Sequence, residues 1–226
     1  MTANRLKKGP GTTRARIVEA ATKLFFSRGY NDVRIAEIAA AAHSNIASIN
    51  YHFGSKESLF ADIFTAECEK VATARSDRLE ALLRANTAPM LEDVVRAWLD
   101  PVFENHAITE NRIIFTHLMG LVLWSDVNDK IRETMSKSLA VVDQRYIEVL
   151  AQIRPDLSRD VIAWRMFGAL GAYSLTLGHP ELIDQLFAGS TSSKHATDRL
   201  GDHLLAFITG GLAAAAPPSD SKDGNQ

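Results

Sequence analysis

Residues 34–52 hold two short segments of helical apolar period, neither long enough to stand alone. The first, 34–41, turns Ile35, Ile38, Ala39 and Ala42 to one side. The second, about 46–52, carries Ile49 and Phe53 at i, i+4. His43-Ser44 separates them. Isolated helices shorter than ~12–15 residues are marginal in water, so both must dock on neighbours. Two such helices joined by two or three residues make a helix-turn-helix signature.

The neighbours are legible. Ile17, Ala20, Ala21, Leu24 and Phe25 form one stripe of a preceding helix from Thr13, and Gly29 offers a left-handed stop. Asn45 suits the N-cap of the 46–52 helix. Gly54 breaks that helix, and Ser55 caps a long fourth one, through Leu59 and Ile63 to about Leu83. Beyond it, helices are expected from Pro89 through Trp98 and Phe103, over 110–125, over 127–153 up to Arg154-Pro155, over 159–177 after Ser158, over 181–188 and over 195–212. No stretch of useful length alternates in β fashion, and no internal repeat is present. The prediction is an all-α chain of about nine helices. It divides into a mobile basic arm (1–12), a helix-turn-helix unit (13–55), a larger helical unit (56–212) and a disordered tail (213–226).

Net charge is only −2, yet it is uneven. Residues 1–60 hold nine Lys/Arg against four Asp/Glu, and the remainder holds sixteen against twenty-three. A basic head on an acidic body points to a polyanion met by one end. Cys68 is the sole cysteine, which fits a reducing compartment. The most apolar run, 113–124, falls short of the ~20 residues of a spanning helix. A cytoplasmic protein without membrane partners is expected.

With Ile49 and Phe53 as anchors, Ala47, Ser48, Asn50 and Tyr51 are left to face outward. Small side chains at 47 and 48 would let the helix sit deep in a major groove, and Ser48 and Asn50 suit base edges or phosphate. Ile46 has two readings, grouped with Ile49 by period or set against a thymine methyl. Tyr51, His52 and Lys56 carry donors for phosphate oxygens, and the N-terminus of the fourth helix offers a phosphate seat. Any one of these residues taken singly has a structural explanation. Grouped in a basic helix-turn-helix head, they favour a nucleic-acid interface.

Residues 13–60 resemble the DNA-binding head of the TetR (tetracycline-repressor) family. The likeness rests on A-x-x-L-F…G-[YF] in the first helix, Ile-Ala in the second, and Y-H-F-x-S-K-E-x-L at the third-to-fourth joint. The resemblance implies an all-α homodimer that binds a double-stranded operator, senses a small ligand in its C-terminal domain and is released by it. By matching position, Asn45, Ala47, Ser48, Asn50, Tyr51, His52 and Lys56 correspond to the DNA-facing surface. Two positions depart from the pattern. The turn has His43 for the usual Gly, a residue that still tolerates a left-handed backbone. The cap of the second helix has Arg34 for the usual Thr. A guanidinium cannot accept an amide, so a weaker cap and a phosphate role for Arg34 are expected.

In the body, Gly168, Gly171 and Ala172 sit among large apolar groups, and the last helix offers Leu204, Phe207 and Ile208. Small residues allow close helix approach, and the resemblance places a four-helix dimer interface here; an intrachain core is the alternative. Phe64, Trp98, Phe103, Phe115, Leu118, Met119 and Val122 can line an apolar ligand pocket or an ordinary core. His117 is the polar group within that cluster, and Arg165, in an apolar helix, needs an anion, either a protein carboxylate or a ligand head group. F-T-H-L-M-G-L (115–121) and W-R-x-x-x-x-L-G-A (164–172) are loosely similar to family members that respond to long-chain fatty acids or their CoA esters, although this chain has His117 where Arg is expected. Nucleotide-loop and hydrolase motifs are absent, and the histidines lack metal-ligand spacing. No enzyme, cofactor or metal is expected. A DNA-binding structural or adaptor protein without an inducer is the alternative function.

Overall fold

A computed structural model describes residues 12–85, 88–104, 129–178, 185 and 200–216. Among these residues the protein is all-α: eight helices and no strand. The expected helices over 110–125 and 181–188 lie outside the described residues, apart from residue 185.

The helix-turn-helix assembles as its side chains dictate. Helix α1 spans Thr13–Asp32, and the side chain of Thr12 caps it by accepting from the Ala15 amide. Its stripe of Ile17, Ala20, Ala21 and Phe25 is buried. Gly29, at φ 79° and ψ 165°, kinks the chain before a last turn to Asp32. Helix α2 spans Ile35–Ala41, and α3 spans Ile46–Phe53. Between them His43 takes φ 49°. The Ser44 amide donates to the Ala39 carbonyl at 2.9 Å, and the His43 amide to that of Ala40 at 3.1 Å. This is a Schellman closure, built on His where glycine is usual, and it sets the angle between the two helices.

Asn45 caps α3, its Oδ1 accepting from the Ser48 amide at 2.8 Å. Gly54, at φ 79°, ends α3. Ser55 then caps α4, Lys56–Arg84, accepting from the Ser58 amide at 3.0 Å. At 29 residues α4 is about 44 Å long. Its first turns pack on α1 and α3, and its later turns on the body, so it belongs to both.

The body follows as α5 (Leu91–Glu104), α6 (Asp129–Ile153), α7 (Arg159–Gly178) and α8 (Leu200–Ala213). Helix α4 packs against α5 and α6, while α8 lies mainly on α5 and also touches α7. At the C-terminus the carbonyls of Ala214 and Ala215 accept hydrogen bonds from arginines on the body. No helix among the described residues is long and apolar enough to cross a membrane.

Candidate nucleic-acid interface

Helix α3 is two-sided. Ile49 and Phe53 are buried against the head. Ala47, Asn50, Tyr51 and His52 are exposed, Ser48 is half-buried, and Tyr51 retains 86% of its accessible surface. Ile46 is also exposed, at 43%, so it belongs to the outward face and not with Ile49 in the core. The outward residues fall in two rows, Ile46 with Asn50 and Ala47 with Tyr51, each at i, i+4. The rings of Tyr51 and His52 meet edge to face, 5.2 Å apart.

Arg34 is exposed at the start of α2, and its side chain makes no capping bond. Glu37 provides the closure, its Oε2 accepting from the Arg34 amide at 2.8 Å while Oε1 pairs with Arg28 at 2.7 Å. The Arg28 hydrogen bond, followed by that of the Arg34 amide, holds the Glu37 carboxyl below the usual carboxylate range.

Lys56, expected to meet phosphate, is engaged within the protein. Its ammonium donates to the backbone carbonyls of Tyr30 and Val33, each at 2.8 Å, and lies 4.3 Å from the centre of the Tyr30 ring. Burial pushes its pKa down. Two of its three donors thus tie the start of α4 to the α1–α2 connection, as a strut. Sequence reasoning missed this because the acceptors are backbone carbonyls, invisible to motif reading.

The joint between head and body is aromatic. Phe25 and Phe60 meet edge to face at 5.4 Å, Tyr30 lies 4.9 Å from Phe60, and Phe60 stacks on Phe64 at 6.4 Å. Phe64, expected to line a pocket, is fully buried in this ladder.

An apolar cavity of about 10 Å³, room for about one water, lies between α5, α6, α7 and α8, lined by Trp98, Met166 and Ile208 among others. Phe103 is half-buried, its ring near the start of α8 at Gly201. Phe115, His117, Leu118, Met119 and Val122 lie outside the described residues.

The buried guanidinium of the body is Arg75, on α4, only 1% exposed. It donates to the Trp98 carbonyl at 2.9 Å, pairs with Asp143 at 3.0 Å and reaches the Tyr173 hydroxyl at 3.5 Å. Asp143 also accepts from the Trp98 indole at 2.8 Å, and the Tyr146 hydroxyl donates to the Arg75 carbonyl at 2.9 Å. Burial raises the pKa of both tyrosines, keeping their hydroxyls protonated. Arg165, the arginine singled out from sequence, does not line the apolar cavity and bonds to backbone carbonyls. It donates to the carbonyls of Leu212, Ala214 and Ala215, and Arg154 joins it on Leu212 and Ala214. Two cations therefore cap the C-terminus of α8, the end at which positive charge is favourable.

The expected dimer residues separate by face. Leu204 and Ile208 are buried in the core of their own chain. Ala172 is half-buried. Trp164, Phe167, Leu175 and Phe207 keep half or more of their surface exposed, and Gly168 and Gly171 lie open among them.

Two family descriptions match the sequence. Residues 17–63 match "Bacterial regulatory proteins, tetR family", and residues 96–211, just over half the chain, match "Tetracyclin repressor-like, C-terminal domain". The chain is 26% identical over 155 residues to the HTH-type transcriptional repressor SCO4008 of Streptomyces coelicolor, covering 69% of this chain and 70% of that one. It is 45% identical over 51 residues, about a quarter of each chain, to the HTH-type transcriptional repressor NicS of Pseudomonas putida. Among solved structures, the fatty acid degradation regulator FadR from Bacillus halodurans superposes with a TM-score of 0.62 at 19% identity, covering 92% of this chain and 99% of that one. NalD, the secondary repressor of a multidrug efflux pump in Pseudomonas aeruginosa, superposes at 0.57 with 20% identity, covering 89% and 97%. At these identities the structural likeness establishes the fold alone.

Proposed function

We propose a function from one premise: this chain belongs to the TetR family of bacterial regulatory proteins. It is a transcriptional regulator with the DNA-binding repressor fold, and not an enzyme. In our reading, residues 13–55 form the reading head, and residues 56–212 sense a ligand and dimerise. A palindromic operator is bound by the homodimer, and a small apolar ligand releases it.

The observation that carries this reading is the two-sidedness of α3. Ile49 and Phe53 lock it to the head, while Ala47, Asn50 and Tyr51 stand clear of the protein. Arg34 and the N-terminus of α4 flank that face as phosphate partners. The exposed apolar stripe on α7 and α8 supports a self-association surface, since patches of this kind mark contacts. Paired heads then address half-sites about 34–36 Å apart.

The wholly apolar lining of the cavity supports an apolar ligand. A fatty acid or acyl-CoA is the specific candidate, on the strength of residues 115–121 and 164–172. A cavity of about 10 Å³ holds no such ligand, so binding must part the helices around it. Because α4 is clamped to the head by Lys56 and to the body by Arg75, parting them tilts α4 and changes the spacing of the two heads.

Sedimentation equilibrium and footprinting test the reading together. The wild-type protein should sediment as a dimer and protect a two-fold symmetric site. Phe167→Arg combined with Phe207→Glu should give a folded monomer that has lost the footprint. A monomeric wild type at micromolar concentration, or no protected site, overturns the proposal.

A further inference from the structure

Helix α3, IASINYHF, contains no Arg, Lys, Asp or Glu. Guanine is most often read by bidentate Arg or Lys, and cytosine by Glu or Asp; α3 has neither kind of reader. Arg34 is exposed beside the head, but four other neighbouring cations are held by the protein itself. Lys56 is bonded to the Tyr30 and Val33 carbonyls, Arg14 to Asp62 at 2.8 Å, Arg28 to Glu37, and the Arg16 Nε to the Ala42 carbonyl at 3.3 Å.

What α3 does present is apolar at its first turn and amide one turn on. The first turn of a recognition helix is the part that meets base edges, and here it carries the exposed Ile46 and Ala47. The 5-methyl group of thymine is the apolar feature of the major groove. The two asparagines are not equivalent. Asn45 has its oxygen bound to the Ser48 amide, which holds its side chain in the cap at the start of α3. Asn50 is exposed and carries both the donor and the acceptor that reading adenine requires.

We infer that α3 specifies A·T pairs, with Ile46 and Ala47 packed on thymine 5-methyl groups and Asn50 bidentate on one adenine; this rests on the reading of the head as an operator reader. Guanine or cytosine beneath the first turn removes the methyl and leaves α3 without its matching partner. Ile46 is thereby a specificity-determining residue, and its exposure in the free protein has a use.

The test begins with selection of duplexes bound by the full-length protein from a random library. Half-sites should carry A·T pairs at adjacent positions beneath α3. In a selected site, deoxyuridine in place of a contacted thymidine should weaken binding about fourfold per methyl. Ile46→Ala, a change on the surface, should fold normally and lose the discrimination at the thymidine beneath residue 46, while that beneath Ala47 is kept. Asn50→Ala should lose about tenfold in affinity, and 7-deazaadenine at the contacted position should weaken the wild type but not the variant. Preferred G·C pairs beneath the first turn, or equal binding of thymidine and deoxyuridine sites by the wild type, overturns the inference and leaves operator binding intact. Recovery of no preferred sequence overturns operator reading itself, and this inference with it.

Discussion

The guanidinium carbon of Arg75 lies 4.3 Å from the centre of the Trp98 ring, and Arg75 Nε donates to the Trp98 carbonyl. The two residues join α4 to α5, and Asp143 bonds both from α6. An arginine removed from water needs a counter-charge and filled donors. Here a carboxylate, a carbonyl and a tyrosine hydroxyl supply them, and all come from other helices. The lever α4 is therefore fastened to the body at one buried polar point.

Arg75→Ala removes the cation and leaves Asp143 and the Trp98 carbonyl without it. Breaking a buried pair from one side costs about 3–5 kcal/mol. Since Asp143 is 30% exposed, the lower end is expected. Urea unfolding measures it, and a loss below about 1 kcal/mol would show that the network holds little of the fold together.

Lys56→Met tests the strut. Two hydrogen bonds from a charged donor are lost, and a destabilisation of about 2 kcal/mol is expected. Operator affinity should fall, because the head is no longer seated on α4. The slope of log affinity against log salt should stay unchanged. A decrease of about 0.9 in that slope, the signature of one lost phosphate contact, would return Lys56 to the DNA.

Arg34→Ser exchanges a side chain that cannot cap α2 for one that can. Stability should rise by about 1 kcal/mol. If Arg34 meets phosphate, the same change lowers affinity and reduces the salt slope by about 0.9. A more stable protein with unaltered salt dependence would make Arg34 a surface residue only.

Cys68 is buried on α4, and burial pushes its thiol up to about 12 from about 9. The folded value is the raised one. Its contribution to stability is complete below about pH 9 and declines as pH rises toward 12, at ~1.4 kcal/mol per pH unit. Comparing the unfolding of the wild type and of Cys68→Ala between pH 8.5 and about 10 isolates this group. The wild type should lose stability over that window, and Cys68→Ala should show a flatter profile. Equal slopes would mean that the folded thiol titrates normally.

Local chemistry was readable at the head. The caps at Asn45 and Ser55, the left-handed His43 and the anchors Ile49 and Phe53 each depend on side chains acting within a turn or two of chain. Ile46 was not settled that way, because a residue at the first turn of an eight-residue helix can join either face until its neighbours are placed.

The body was read less well. Arg165 drew notice because its helix is apolar, yet it lies at the rim and caps α8. Arg75 falls on the stripe of Cys68, Val71 and Leu79, a signal present in the sequence, but nothing local says that α5, α6 and α7 all converge on it. Likewise the last helix is apolar on several sides. Only its docking on α5 turned Leu204 and Ile208 inward and left Phe207 outside.

The sequence by itself determined the helices, their caps and the helix-turn-helix, because hydrogen bonds and periodicity act over a few residues. The tertiary structure alone decided which arginine is buried, which apolar face stays open and where Lys56 points. Those outcomes depend on partners 23 to 98 residues away along the chain, where the chemistry of one segment is completed by another.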